Sequence, residues 1–128
     1  MWHGDMHKKK SSGGKKTAYR KKRNFEKGSF PAETSFGEKK MRMRRGCGGN
    51  VKVQLLGATH ANVSNPSTGK TEKVEILRVI RNPANVDYNR RGVITKGTII
   101  ETPLGQARVA SHPGQNGIVN ATIVPKKD

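Results

Sequence analysis

Apolar residues alternate with polar ones from residue 51 onward, and before it they do not. Residues 51–56 place Val51, Val53 and Leu55 on one face of a strand. Residues 58–63 either continue that strand or begin a second. Asn65-Pro66-Ser67-Thr68-Gly69-Lys70 has the composition of a turn. Residues 71–81 read as one long strand, with Val74, Ile76 and Ile80 on one side and Leu77 and Val79 on the other. Apolar side chains on both faces point to a closed or sandwiched sheet. Asn82-Pro83-Ala84-Asn85 ends that strand. A short strand is expected over 93–95, after the turn Arg90-Arg91-Gly92. Residues 98–102 and 107–111 flank Pro103-Leu104-Gly105-Gln106, a hairpin signal. His112-Pro113-Gly114-Gln115-Asn116-Gly117 forms a further turn. The last strand, 118–124, sets Ile118, Asn120 and Thr122 against Val119, Ala121 and Ile123. No internal repeat is present. The expected fold is all-β: a small antiparallel β-barrel-like domain over residues 50–128, with a long, mostly irregular extension over 1–49.

Charge separates the two parts further. The first fifty residues carry fifteen Lys and Arg against four acids, a net +11; the remainder carries eleven against five, a net +6. Gly13-Gly14, Gly28, Pro31, Gly37 and Gly46-Cys47-Gly48-Gly49 interrupt any long helix. A short helix over 17–27 can still form on RNA. With so few apolar residues the extension cannot bury a core, so its charge must meet a polyanion. Nucleic acid is the simplest. The candidate contacts are Lys8-Lys9-Lys10, Gly13, Gly14, Lys15-Lys16, Tyr19, Arg20-Lys21-Lys22-Arg23, Lys39-Lys40, Arg42, Arg44, Arg45, Gly48, Gly49 and Asn50. Tyr19, Phe25, Phe30 and Phe36 are interleaved with these cations and suit stacking on unpaired bases or wedging into a hydrophobic niche, with packing of Phe30 and Phe36 back on the barrel as the alternative.

Other chemistries find little support. A lone cysteine, Cys47, excludes an internal disulfide and a Cys-rich zinc site. No apolar run reaches membrane-spanning length, and no h-region follows the basic N-terminus, so a soluble intracellular protein is expected, with no membrane partner. His3-Asp5-His7 is a fortuitous weak metal set at best, and no metal or cofactor is expected. Gly46-Cys47-Gly48-Gly49-Asn50 precedes a strand and lacks a Lys-Ser/Thr pair, so it is no nucleotide-binding loop. A small basic ribonuclease would need two acid/base groups across a phosphate, and His60 and His112 would meet only by accident of folding. No catalytic residue and no small-molecule substrate are expected. Helix-turn-helix, zinc-finger and basic-zipper patterns are missing, as are aromatic RNP strands and a KH loop. That favours a structural RNA bound through phosphates and shape.

One set of strings narrows this further. They are Ser12-Gly13-Gly14-Lys15, Tyr19-Arg20-Lys21-Lys22-Arg23-Asn24-Phe25-Glu26, Gly28, Pro31-Ala32-Glu33-Thr34 with Gly37, and Gly48-Gly49-Asn50-Val51-Lys52. Val63-Ser64-Asn65-Pro66, Gly69-Lys70-Thr71, Asn82-Pro83-Ala84-Asn85, Thr95-Lys96-Gly97-Thr98-Ile99-Ile100, Gly105-Gln106-Ala107-Arg108-Val109 and the run from Pro113 through Ala121 follow. In this order, over about residues 8–124, the chain resembles the archaeal and eukaryotic small-subunit ribosomal protein family eight-e, in its short archaeal form. The resemblance implies a barrel-like domain on the small subunit, an extension threaded into ribosomal RNA, neighbouring ribosomal proteins as further partners, a cytoplasmic, ribosome-bound location and no catalysis. It implies RNA contacts at Gly13, Gly14, Lys15, Arg20, Lys21, Lys22, Arg23 and the Gly48-Gly49-Asn50 junction. One departure stands out: where the family often has two arginines after that junction, this chain reads Gln54-Leu55-Leu56-Gly57. A eukaryotic relative with a similar C-terminal domain acts in large-subunit assembly, so a non-ribosomal RNA-binding or assembly factor is the alternative reading.

Overall fold

Strands account for most of the regular structure. The computed structural model describes residues 9–125 apart from 18, 22 and 27. The chain divides into two units, Met1–Pro31 and Ala32–Asp128. In the first, the described regular structure is one antiparallel bridge between Lys9 and Lys15 and a 3-10 turn, Asn24–Glu26.

The second unit holds β1 (Ser35–Phe36), β2 (Lys40–Arg45), β3 (Val51–Ala58), β4 (His60–Ser64), β5 (Thr71–Glu75), β6 (Arg78–Arg81), α1 (Val86–Arg91), β7 (Ile99–Thr102), β8 (Gly105–Val109), α2 (Pro113–Asn116) and β9 (Asn120–Ile123). A three-stranded sheet has the order β1-β3-β2, and a six-stranded sheet the order β5-β4-β9-β8-β7-β6. Most pairings are antiparallel; β1 with β3 and β4 with β9 are parallel. The larger sheet curls into a half-barrel.

The curl explains one departure from the sequence pattern. Residues 71–81 are not one straight strand. β5 and β6 follow each other in the chain yet form opposite edges of the sheet. The change of edge falls between two residues: the Ile76 amide donates to the Thr59 carbonyl at 2.8 Å, and the Leu77 amide donates to the Glu101 carbonyl at 2.9 Å. The side-chain alternation slips there. Val74, Ile76 and Val79 belong to the core, whereas Leu77 and Ile80 are exposed. The expected grouping of Ile80 with Val74 and Ile76 is therefore corrected, because period-two alternation survives only while a strand keeps one partner.

The core is small-chained. Leu55, Ala58, Ala61, Val63, Ile76, Ile94, Ile100, Ala107, Val109, Val119 and Ala121 fill it. Val119 and Ala121 lie on one face of the last strand, as the alternation expects. Alanines at Ala61, Ala107 and Ala121 permit the tight curl, since bulkier side chains would not fit on its concave side. The hairpin between β7 and β8 turns at Pro103-Leu104, with Thr102 opposite Gly105. The pattern left 58–63 open, and a break at Thr59 makes β4 a second strand, in the other sheet from β3.

Three further expectations need correcting. Residues 93–95 form only a bridge, Ile94 to Thr34: the Ile94 amide donates to the Thr34 carbonyl at 2.7 Å, while the Thr34 hydroxyl donates to the Leu55 carbonyl at 2.6 Å. Residues 86–91, read as loop and turn, form α1: Asn85 accepts from the Asp87 amide at 2.9 Å, Asp87 sits in the first turn, Arg90 and Arg91 in the last, and Gly92 closes it at φ 64°. Residues 35–36 and 40–45, read as part of an irregular extension, are strands paired to β3. Backbone pairing needs no apolar side chain, so a strand written in Lys and Arg escapes a hydrophobic pattern.

Asn82 ties α1 to the sheet. It is buried; its amide group donates to the Val93 carbonyl at 2.7 Å, while its Oδ1 accepts from the Ala84 amide at 3.0 Å and the Thr95 hydroxyl at 3.2 Å. Asn82→Ala leaves these buried partners unpaired and is expected to lower stability by about 1–3 kcal/mol. Urea unfolding measures it; an unchanged midpoint would show that the three bonds contribute nothing.

Candidate nucleic-acid interface

The interface is best built from its turns, because turns decide where the cations point. At the start of the described chain, the Lys10 amide donates to the Gly14 carbonyl at 2.7 Å and the Gly13 amide donates back to Lys10 at 2.9 Å. Gly13 takes φ 82°, a left-handed value that favours glycine. The turn sets Lys9 opposite Lys15 and leaves Lys9, Lys10, Lys15 and Lys16 all exposed. Lys8 and Lys22 lie outside the described residues, as do Trp2, His3, Asp5 and His7.

The second group is organised around Glu26. Arg20 donates to both its carboxylate oxygens, at 3.0 and 2.5 Å, and through Nε to the Tyr19 hydroxyl at 2.8 Å. The Arg23 amide donates to the same carboxylate at 2.9 Å. The hydrogen bond from Glu26, and then that from Tyr19, push the Arg20 guanidinium further above its ordinary value. Arg20 therefore shapes this turn, and its fork is engaged by a carboxylate. Lys21 and Arg23 remain exposed. Tyr19 is 91% exposed and Phe25 77%, and the Arg20 guanidinium lies over the Tyr19 ring, 5.3 Å from its centroid.

The third group is the hairpin of β2 and β3. Its tip is Gly46-Cys47-Gly48-Gly49-Asn50. The Gly46 amide donates to the Asn50 carbonyl at 2.6 Å, and the Asn50 side chain donates to the Cys47 carbonyl at 3.0 Å. Gly48 and Gly49 take φ 68° and 75°. The Gly48-Gly49-Asn50 junction is thus a hairpin tip between two strands. Register then fixes the faces: Arg44 lies opposite Lys52 and Arg42 opposite Gln54, while Met41, Met43 and Arg45 lie opposite Leu55, Val53 and Val51. One face is a basic stripe of Arg42, Arg44 and Lys52. Sequence reasoning missed Lys52, whose signal was its place between Val51 and Val53. Within Gln54-Leu55-Leu56-Gly57, Leu55 is in the core and Leu56 is exposed.

Three acids of this unit are bound to arginines outside the hairpin. Arg91 binds Glu33 at 2.6 Å and Asp87 at 3.0 Å, and Arg78 binds Glu101. The hydrogen bond from Arg91 holds the Glu33 carboxyl below its ordinary range, and Glu33 in turn raises Arg91. Among the described residues, Lys39, Lys40, Arg42, Arg44, Arg45 and Lys52 form no ion pair. Arg44 facing Lys52 is a like-charge cross-strand pair, which opposes folding unless an anion lies over it.

His60 lines a cavity of about 110 Å³ with Lys39 and Lys73. His112 precedes α2 and is not among the residues lining that cavity. Among the described residues, no three His, Cys, Asp or Glu side chains gather to hold a metal ion. Nor is any helix among them long and apolar enough to cross a membrane.

The family model described as ribosomal protein S8e matches residues 3–124. Curated relatives, each named small ribosomal subunit protein eS8, cover nearly the whole chain. One from Sulfurisphaera tokodaii is 48% identical over 117 residues, 91% of each chain. One from Methanobrevibacter smithii is 47% identical over 113 residues, 88% of this chain and 90% of its own. One from Methanosphaerula palustris is 48% identical over 124 residues, 97% of this chain and 98% of its own.

Proposed function

The chain belongs to the ribosomal protein S8e family, and from that premise we propose that it is a structural constituent of the small ribosomal subunit, binding and stabilising that subunit's RNA. It is not an enzyme: the family is structural. Its partners are ribosomal RNA and neighbouring ribosomal proteins, and it works where the ribosome does. The contacts proposed are Lys9, Lys10, Lys15, Lys16, Lys21 and Arg23 of the first unit, with the Gly13-Gly14 turn and the Tyr19 ring. Lys39, Lys40, Arg42, Arg44, Arg45 and the Gly48-Gly49-Asn50 tip of the hairpin complete them. Lys8 and Lys22 stay in this set on their sequence alone. Arg20 serves by holding the 19–26 turn against Glu26.

The observation that carries this reading is the hairpin's uncompensated charge. A stripe of cations, two of them face to face, makes no ion pair among the described residues. Condensed counterions released from RNA as Lys and Arg replace them drive the association. Each ordered residue of the first unit costs roughly 1–2 kcal/mol of backbone entropy, offset only when phosphates are in place.

Sedimentation tests it. Added to ribosomal particles and spun through a gradient at moderate salt, the protein is expected to travel with the small subunit and to be stripped as salt rises. Recovery at the top of the gradient at every salt, or with the large subunit, would reject the assignment and favour an assembly factor.

A further inference from the structure

We propose that the outer face of the half-barrel is a second RNA-contacting surface, in which Lys96 and Arg108 hold a backbone phosphate in a groove. This rests on the reading of the chain as an RNA-binding ribosomal protein. It adds a site in the part of the molecule where the basic runs are absent.

Register assembles the surface. Thr71 lies opposite Ser64, Ser64 opposite Thr122, Thr122 opposite Arg108, Arg108 opposite Ile99, and Ile99 opposite Arg81. One row therefore crosses all six strands. Neighbouring residues Val63, Ala121, Ala107, Val109 and Ile100 are buried, so by strand alternation the row faces outward. At about 4.8 Å per strand it extends roughly 24 Å. It carries three hydroxyl residues and two guanidinium groups and no acid. The nearest acid on the same face, Glu101, is bound to Arg78.

The row has a concave point. Lys96, Gly97, Arg108, Val109, Ala110 and Thr122 line a groove of about 370 Å³. Gly97 takes φ 90°, and Arg108 Nη2 lies 4.0 Å from where a Cβ would stand on it, so the guanidinium reaches back over bare backbone toward the Lys96 loop. Among the described residues neither Lys96 nor Arg108 has an ion pair. An arginine, a lysine and a threonine lining a hollow that no acid lines suit the non-bridging oxygens of a phosphodiester. Sugar and base would then follow the hydroxyl row, which can donate to 2′-hydroxyls. Twelve residues separate Lys96 from Arg108 in the chain, and only the pairing of β8 with its neighbours joins them.

The test uses the full chain with a small-subunit RNA transcript, titrated over a range of potassium chloride. Lys96→Ala with Arg108→Ala is expected to bind about tenfold more weakly and to flatten the salt slope by about one for each phosphate no longer neutralised. Its thermal melt should match the wild type, since both side chains are exposed. Arg108→Lys with Lys96 intact should keep the wild-type slope, because the charge is retained, and bind more weakly than the wild type, because the fork is lost. A wild-type slope in the double variant, with RNA still bound, overturns this inference and leaves the proposed function standing. Failure of the wild type to bind the transcript overturns both. Tight uptake of inorganic phosphate alone, undisturbed by RNA, would assign the groove to a free anion and likewise overturn it.

Discussion

Replacing Arg42, Arg44 and Lys52 together with alanine is expected to move RNA affinity and protein stability in opposite directions. The three side chains share one face of the β2–β3 hairpin, with Arg44 directly opposite Lys52. In the free protein that juxtaposition is repulsive, and no acid relieves it among the described residues. Removing it should leave stability unchanged or raise it by roughly 0.2–1 kcal/mol. On RNA the same cations each displace a counterion. Without them the plot of log affinity against log salt should flatten by about three, and binding at low salt should weaken by roughly two to three orders of magnitude. The matching control is Arg78→Ala with Arg91→Ala, which removes two cations that acids already neutralise. That variant should lose some stability and little slope. Titration by fluorescence anisotropy beside urea melts reads both quantities. If the hairpin variant binds as the wild type does, or unfolds far more easily, the stripe serves the fold and not the RNA.

What could be read from the chain, and what could not, divides along a physical line. β7, β8 and β9 were legible because each keeps one face in the core, so that Ile100 with Thr102, Ala107 with Val109, and Ala121 with Ile123 recur at period two, whereas β4 was left open as a continuation of β3. The break between β5 and β6 was not, because the alternation is regular on either side of it. Only the closing of the sheet, with Ile76 bonded to one edge and Leu77 to the other, produces the slip. β2 hid behind its charge: Met41 and Met43 do alternate with Lys40, Arg42 and Arg44, but both methionines are exposed and the strand sits at a sheet edge. α1 carried a capping asparagine, a first-turn aspartate and a closing glycine. It lacked an apolar stripe, since Val86 is 84% exposed. For the interface, clusters contiguous in sequence were visible as clusters. The roles within them were not: nothing in the string Tyr19-Arg20-Lys21 says that Arg20 turns back on Glu26 while Lys21 stays exposed. The cross-strand placement of Lys52 and Arg108 was invisible, because register and not sequence proximity gives them their neighbours.

Gly57→Ala is expected to be the most damaging single substitution in the strand-rich unit. Gly57 is where both flanking strands meet β3: Ser35 of β1 pairs with it on one side and Lys40 of β2 on the other. The connection between them passes directly over it. A Cβ there would overlap the Glu38 carbonyl oxygen and stand 3.5 Å from its carbon and 3.6 Å from the Lys40 amide. These are backbone atoms, so no rotamer change relieves the clash. The register already shifts between Lys40 and Met41 to let the connection by. A methyl group must push residues 37–39 outward and unpair the beginning of β2. The expected loss is about 3 kcal/mol or more, the upper end of what overpacking costs. Gly69→Ala provides the comparison: its φ is 68° and nothing lies within 4 Å, so it incurs only the left-handed backbone cost, about 1–2 kcal/mol. Because β2 carries the basic stripe, the damage at Gly57 should reach function as well. RNA affinity should fall in Gly57→Ala even where enough protein remains folded to titrate, and it should hold in Gly69→Ala. Equal losses of stability in the two variants would mean that β1 and β2 do not close over Gly57 as described, and the hairpin's placement would have to be redrawn.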